Sequence, residues 1–488
     1  METIRTGAQA LAANAAASSA FGLSREAPSP SAAAPTGTAP TIGQLLDALP
    51  VGKAHWFAIG IIGVTLFFDM YEIFLVSSIG VALQQTFGIS RDTLDFKLLL
   101  ASAFVGMFFG ASVFGSLSDK IGRRNALIFN LTWYSAFSLL GAFSTNATML
   151  VLSRFLTGIG VGAVYPIADS YLSEILPKDR RGRLAAWAYT GSYLAVPFVG
   201  FLAFYLNGAR VEGVDGWRVM LAIGSLGAVI VLLTKHKLPE SPRWLASRGR
   251  TSEALRELRR FAAGSQVGLP EHVADSSAGV KALGFGERIA LLRRAPYRSR
   301  YGMLVVFHLF QAFGYYGFGT LANVVLKSRG YTVTDGTLFM ALSFLGYPLG
   351  SLLSIPLLKH FERRSLVIFA VMSIAVFGLC FAYAPTNFLI VLFGVATTCA
   401  SNVFSNAYHV YQAEIFPSEI KSTAVGSTYA LSRIVSGALP FLLIPVLVNY
   451  GAGVMFGVIS LALCIVAITV RWLGPTTMRR SQDELNPR

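Results

Sequence analysis

Apolar runs long enough to cross a bilayer recur along this 488-residue chain, and they limit its possible folds more than any other feature. About twenty residues at 1.5 Å each span the hydrocarbon of a membrane. Such runs lie near 56–82, 96–118, 124–144, 148–174, 184–206, 217–236, 301–326, 335–358, 364–384, 386–412, 422–448 and 451–472. Hydrocarbon offers no partner for a free backbone N–H or C=O, so each run is expected as a helix. The fold class that follows is an all-α membrane protein, with twelve transmembrane helices in two six-helix halves. Charged residues make up only 13% of the chain, against about 25% in soluble domains.

Basic residues set the expected orientation. Of the 40 Lys and Arg residues, 32 fall on the side that carries both termini, and six (Arg91, Lys97, Arg210, Arg218, Lys327, Arg329) fall on the other. By the positive-inside rule both termini and the middle loop are cytoplasmic, in a multi-pass protein of the plasma (inner) membrane. The +15 net charge is therefore a topology signal. Spread over short loops, it excludes nucleic acid as a partner. The domain reading is a disordered N-terminal tail (1–50) and a first bundle (51–237), then a middle loop (238–299), a second bundle (300–473) and a tail (474–488). A short amphipathic helix is expected at the membrane surface from Ile42, and another surface helix over Thr251–Phe261. Cys380, Cys399 and Cys464 lie in apolar spans without Cys-x-x-Cys spacing, and read as packing residues. No metal site and no cofactor are indicated, and a monomer is expected.

The halves repeat. Tyr171-Leu-Ser-Glu174-Ile-Leu-Pro177 recurs 240 positions later as Tyr411-Gln-Ala-Glu414-Ile-Phe-Pro417, and Arg123-Arg124 recurs as Arg363-Arg364. Matched halves point to a transporter built from parallel repeats, with its substrate between them near the midplane.

Charge inside the apolar runs marks the working groups. A carboxylate at bilayer depth costs roughly 2.5–3.5 kcal/mol on insertion scales, so intramembrane acids usually mark a proton, ion or substrate path. Asp69 and Glu72 sit at i, i+3 on one face of the first span, where they can share a proton or a cation. Arg154 of the fourth span lies within about one turn of Glu72 in depth, and is the expected partner of the acids. Arg433, in the eleventh span, has no acid at similar depth in its own half. A bound carboxylate would satisfy it bidentately, with pairing to Asp69 as the structural alternative. Gln311, Tyr315, Tyr316, Asn402, Asn406 and Tyr193 lie near mid-depth as candidate cavity residues. His308 and His409, nearer the cytoplasm, read as helix-to-helix hydrogen-bonding groups. Gly158-Ile-Gly160-Val-Gly162 lies mid-helix, which favours close packing over phosphate binding.

Between spans two and three, Gly115-Ser-Leu-Ser-Asp119-Lys-Ile-Gly122-Arg123-Arg124 combines a turn glycine with charges that can bond neighbouring helix ends. It closely resembles the loop motif of the major facilitator superfamily. Glu174-Ile-Leu-Pro177-Lys-Asp-Arg-Arg181-Gly182 and Pro239-Glu240-Ser-Pro-Arg243-Trp-Leu245 are similar to signatures of its sugar-porter branch. The resemblance implies the major facilitator fold, and a cytoplasmic gate in which Asp119, Arg123, Arg124, Glu174, Arg181, Glu240 and Arg243 form one charge network, with Glu414 as the second-half counterpart. Lys359 stands where Asp119 has its counterpart, so an asymmetric latch is expected. Glu72 with Arg154 resembles the proton-coupling pair of sugar-porter symporters. Phe68-Asp69-Met-Tyr-Glu72 resembles the first span of aromatic-acid and related metabolite:proton symporters.

No Gly-x-Ser-x-Gly, His-Glu-x-x-His or Walker sequence is present, which argues against an enzyme. The reading is a secondary active transporter that takes up a small organic anion or related metabolite with protons, by alternating access. A sugar:proton symporter, a drug or metabolite exporter and a non-transporting receptor are the alternatives.

Overall fold

The computed structural model describes residues 40–90, 92–265, 268–270, 273 and 284–478. Of the tail expected over 1–50, residues 1–39 lie outside them, as do the last ten residues of the chain, whereas 42–48 form a helix. Ten helices among the described residues are long and apolar enough to cross a membrane. One of these, Thr423–Leu473, contains two spans joined at Gly451, whose φ of 83° breaks the helix. Arg123–Ala142 adds a less apolar helix of 20 residues. The count thus returns to twelve apolar segments.

Span one is Lys53–Phe87, span two Leu94–Ile121, span three Arg123–Ala142 and span four Ala147–Ile175. Span five is Arg181–Ser192 with Ala195–Leu206, and span six is Gly216–Gly224 with Leu226–Thr234. The second half begins with span seven, Tyr297–Ser328, and span eight, Val333–Phe344 with Gly346–His360. Spans nine and ten are Arg363–Tyr383 and Asn387–Glu414. The face that carries Thr41, the middle segment and Met478 is called the tail face below.

Small residues let helices approach closely where no hydrophobic force acts between them in lipid. A Cβ at Gly106 or Gly110 of span two would lie 2.1 or 1.8 Å from a carbonyl of span four, and one at Gly158 2.1 Å from Ala103 O. The glycines of span four therefore serve packing. At the 240 offset, Gly346 and Gly350 do the same against span ten, at 2.2 and 2.3 Å from Val395 O and Cys399 O. The two halves share their packing as well as their motifs.

The Ile42–Ala48 helix differs from expectation. A capping box, in which Gln44 N–H donates to Thr41 Oγ1 and Thr41 N–H to Gln44 Oε1, fixes its start. Its apolar face, Ile42 and Leu46, is buried against the middle-segment helices Pro242–Ser247 and Thr251–Ala262. Protein, not lipid, covers that face. An ion pair from Arg243 to Asp47 at 2.6 Å and the Lys178 N–H on Asp47 Oδ1 pin it there.

Contacts between halves gather away from the tail face. Ala195–Leu206 packs closely on Val333–Phe344, where a Cβ at Gly200 would meet Ala341 Cα at 2.9 Å. Phe74 packs edge-on to Phe344 and Tyr347, and Lys327 donates to Gln84 Oε1 at 2.9 Å. The tail-side pieces of the same spans barely touch; Thr190 and Ser351 share a hydrogen bond at 3.1 Å. A vestibule between the halves therefore opens on the tail face.

Candidate functional site

Glu72 is the acid with a full set of partners. Arg154 Nη1 forms an ion pair with its carboxylate, Arg154 Nη2 donates to its backbone carbonyl at 2.8 Å, and Ser138 Oγ donates to Oε1 at 2.5 Å. Gly224 leaves room for it: a Cβ there would sit 2.2 Å from Glu72 Oε1. The pair is buried between spans one, three, four and six, and belongs to the first half alone.

Asp69 is different. It is wholly buried, and neither carboxylate oxygen has a hydrogen-bond partner among the described residues. The expected sharing with Glu72 is not seen as a hydrogen bond. The charges whose fields reach it are Arg433, from the opposite half, and Glu72. The Tyr134 hydroxyl, in the field of Asp69, is also buried without a partner.

Arg433 does not pair with Asp69. Its Nη1 donates to the Tyr316 hydroxyl at 2.5 Å and its Nη2 to the Tyr429 hydroxyl. Both rings also receive the guanidinium, at 5.3 and 4.7 Å from their centroids. The two bonds use two of the five N–H donors of the guanidinium. Tyr315 lies edge-on to Tyr316 and Tyr347, and Tyr193 interacts with Tyr315 and Ser405. Gln311 is buried on the same span as both tyrosines. The result is an arginine set among tyrosines where the halves meet, facing an unpartnered acid.

Asn402 and Asn406 hold span ten to span eight. Asn402 donates to Tyr347 O, and Asn406 to Ser354 Oγ at 2.7 Å. His308 is helix glue as expected, bonded to Gln412 at 3.2 Å. His409 departs from that reading, because it is exposed to the vestibule. Sequence reading missed Tyr429, Tyr165, Tyr134 and Asp169. The signal for Tyr429 was its i−4 relation to Arg433 on one helix face.

At the tail face the charges form two clusters instead of the single network expected. In the first, Arg123 bonds Asp119 at 2.5 Å and Glu174 at 2.8 Å. Glu240 Oε1 accepts the backbone N–H groups of Arg123, Arg124 and Ser241 at 3.0, 3.0 and 2.9 Å. The carboxylate thereby caps the positive end of span three. Gly122 permits this at φ 96°, since a Cβ would lie 2.4 Å from Glu240 Oε2. Burial pushes the Glu240 carboxyl above its usual range, against the pull of those N–H groups and of Arg124. In the second cluster, Arg243 forms an ion pair with Asp47, and Arg181 lies in the fields of both. In the second half Arg363 meets Glu414 at 3.5 Å, and Glu362 accepts the N–H groups of Thr477 and Met478. The latch is asymmetric, with the capping carboxylate supplied from the other side of the joint. A crevice of about 390 Å³ beside Arg124 and Lys235 lies apart from the Arg433 cluster.

These geometries rank the latch residues. The Asp119 side chain is 67% exposed, so its ion pair is worth at most about 1 kcal/mol. Removing the Glu240 carboxylate leaves three backbone donors without that acceptor, two of them at the part-buried start of span three, at about 1–3 kcal/mol. In thermal unfolding of purified protein, Glu240→Ala is expected to lower the midpoint clearly and Asp119→Asn hardly at all. Equal shifts would contradict the ranking.

Residues 51–488 match the family model described as sugar (and other) transporter. The chain belongs to that family. It is 26% identical over 450 residues to the niacin transporter NiaP of Acinetobacter baylyi, covering 90% of this chain and 98% of that one. It is 28% identical over 435 residues to the inner membrane metabolite transport protein YgcS of Escherichia coli, covering 88% and 93%. The inward-open structure of the xylose transporter XylE from E. coli superposes with a TM-score of 0.70 at 19% identity, covering 88% of this chain and 99% of that one. The fold is thus that of the major facilitator superfamily. The protein is a multi-pass membrane transporter and not an enzyme.

Proposed function

We propose that this transporter takes up a small organic anion together with protons, by alternating access, with the tail face cytoplasmic and the plasma membrane as its site. One observation carries the reading: an unpartnered buried Asp69 faces Arg433 across the junction of the halves, while Arg433 rests on two neutral tyrosine hydroxyls. Burying the Asp69 carboxylate charged and unbonded costs free energy that binding a proton removes. A planar carboxylate is the ligand that a guanidinium holds with two parallel hydrogen bonds, and tyrosine rings can enclose an apolar body attached to it. The niacin transporter among the relatives fits this chemistry. The basic excess on the tail face supports the orientation. Arg154, bound within the first half, positions Glu72 beside Asp69.

The test is uptake into proteoliposomes of radiolabelled nicotinate, benzoate, succinate and xylose, each with and without an inward proton gradient. Accumulation of a carboxylate that needs the gradient is the expected result. Gradient-driven accumulation of xylose with no carboxylate transported would restore the sugar reading.

A further inference from the structure

The 240-residue offset reaches residues that the motifs do not include. It maps Asp169 of span four onto His409 of span ten, Tyr189 onto Tyr429, and Tyr193 onto Arg433. In the first half the Tyr189 hydroxyl donates to Asp169, and its ring stacks on Tyr165 at 6.0 Å and 5°. In the second half the Tyr429 ring lies 6.1 Å from that of His409, which stacks on Tyr408 at 4.3 Å. Asp169 and His409 are both exposed. Tyr165, one turn from Asp169, lies within electrostatic range of Tyr429. The acid and the imidazole therefore look onto one vestibule from equivalent places in the two halves.

We propose that Asp169 and His409 are the two sides of a tail-side gate, which seals the vestibule as an ion pair when the inner parts of spans four and ten swing together. The proposal rests on the alternating-access reading above. Residues related by a pseudo-two-fold axis approach each other when the mouth on that axis narrows. Here they can carry opposite charge. In the conformer described the mouth is open, and Asp169 is bonded to Tyr189 instead.

Closure needs an imidazolium, formed when His409 takes up a hydronium proton from the aqueous phase and releases water. The other groups around the pair decide when that happens. Asp169 has Tyr165 and Tyr189 beside it. His409 has Tyr408, Tyr429, Gln412 at 3.2 Å, His308 and Arg433. Arg433 repels the imidazolium, and an anion bound to Arg433 relieves that repulsion. Substrate binding would thereby favour closure, a coupling between cavity and gate. Closure as an ion pair requires that proton, so it is favoured as the pH falls and lost as it rises.

The test places spin labels at Ser173→Cys and Ala413→Cys in full-length protein, with Cys380, Cys399 and Cys464 replaced by alanine, in lipid vesicles. Distances are read by double electron–electron resonance at pH 6 and 8. A short-distance population is expected to grow at pH 6. Asp169→Asn and His409→Gln should each reduce it about fivefold and remove its pH dependence, and the exchanged pair Asp169→His with His409→Asp should restore it. Independently, Asp169→Cys with His409→Cys should form an interhalf disulfide on oxidation. Two populations indifferent to every variant, with no disulfide, would overturn the gate and leave alternating access standing. One distance under all conditions would overturn both.

Discussion

Arg433→Lys is expected to weaken carboxylate binding about thirtyfold, roughly 2 kcal/mol, with the protein still folded and inserted. Lysine retains the charge and can still reach a tyrosine hydroxyl, so the environment of Tyr316 and Tyr429 survives the change. What it loses is planarity. An ammonium group cannot present two parallel N–H bonds to a carboxylate while two other donors remain on phenolic oxygens. Isothermal titration of wild type and variant with the best carboxylate from the uptake screen measures the difference. Equal affinities would mean that Arg433 serves helix packing, and would remove the anion from the reading.

Asp69→Asn is expected to abolish gradient-driven accumulation, by tenfold or more, while substrate exchange across the membrane continues. The amide fills the same space and spares the interior a buried charge, so folding should not suffer. It cannot bind or release a proton, which separates the driving step from the carrying step. Glu72→Gln should behave differently. It strips the charge from a carboxylate held by Arg154 and Ser138, and leaves the guanidinium buried without its counter-charge, at about 3–5 kcal/mol. Parallel counterflow and gradient-driven uptake assays, with thermal unfolding of each variant, tell the cases apart. Normal accumulation by Asp69→Asn would move proton coupling elsewhere.

The ranking of the two acids could not be read from the first span. Spacing at i, i+3 places Asp69 and Glu72 on one face, yet at bundle scale that face meets two environments. Gly224, Ser138 and Arg154 close around Glu72, whereas Asp69 lies toward the other half. The match in depth between Glu72 and Arg154 was readable because helices keep a fixed rise per residue across a bilayer of fixed thickness. The partners of Arg433 were not, since Tyr316 is 117 residues away and reaches it only through packing of span seven on span eleven.

What the amino-acid order determined by itself was the set of spans, their count, the internal repeat and the charged motifs at helix ends. Each follows from local physics: hydrocarbon compels helices, charge resists burial, and a glycine at φ 96° permits the turn before Arg123. Tertiary structure alone decided that Arg243 pairs with Asp47, with Arg181 in the fields of both, that the Ile42–Ala48 helix lies on protein, and that His409 opens to the vestibule. Which charge meets which depends on how helices rotate and dock. In a membrane that docking is set by shape and small residues, contacts that lie far apart in the chain.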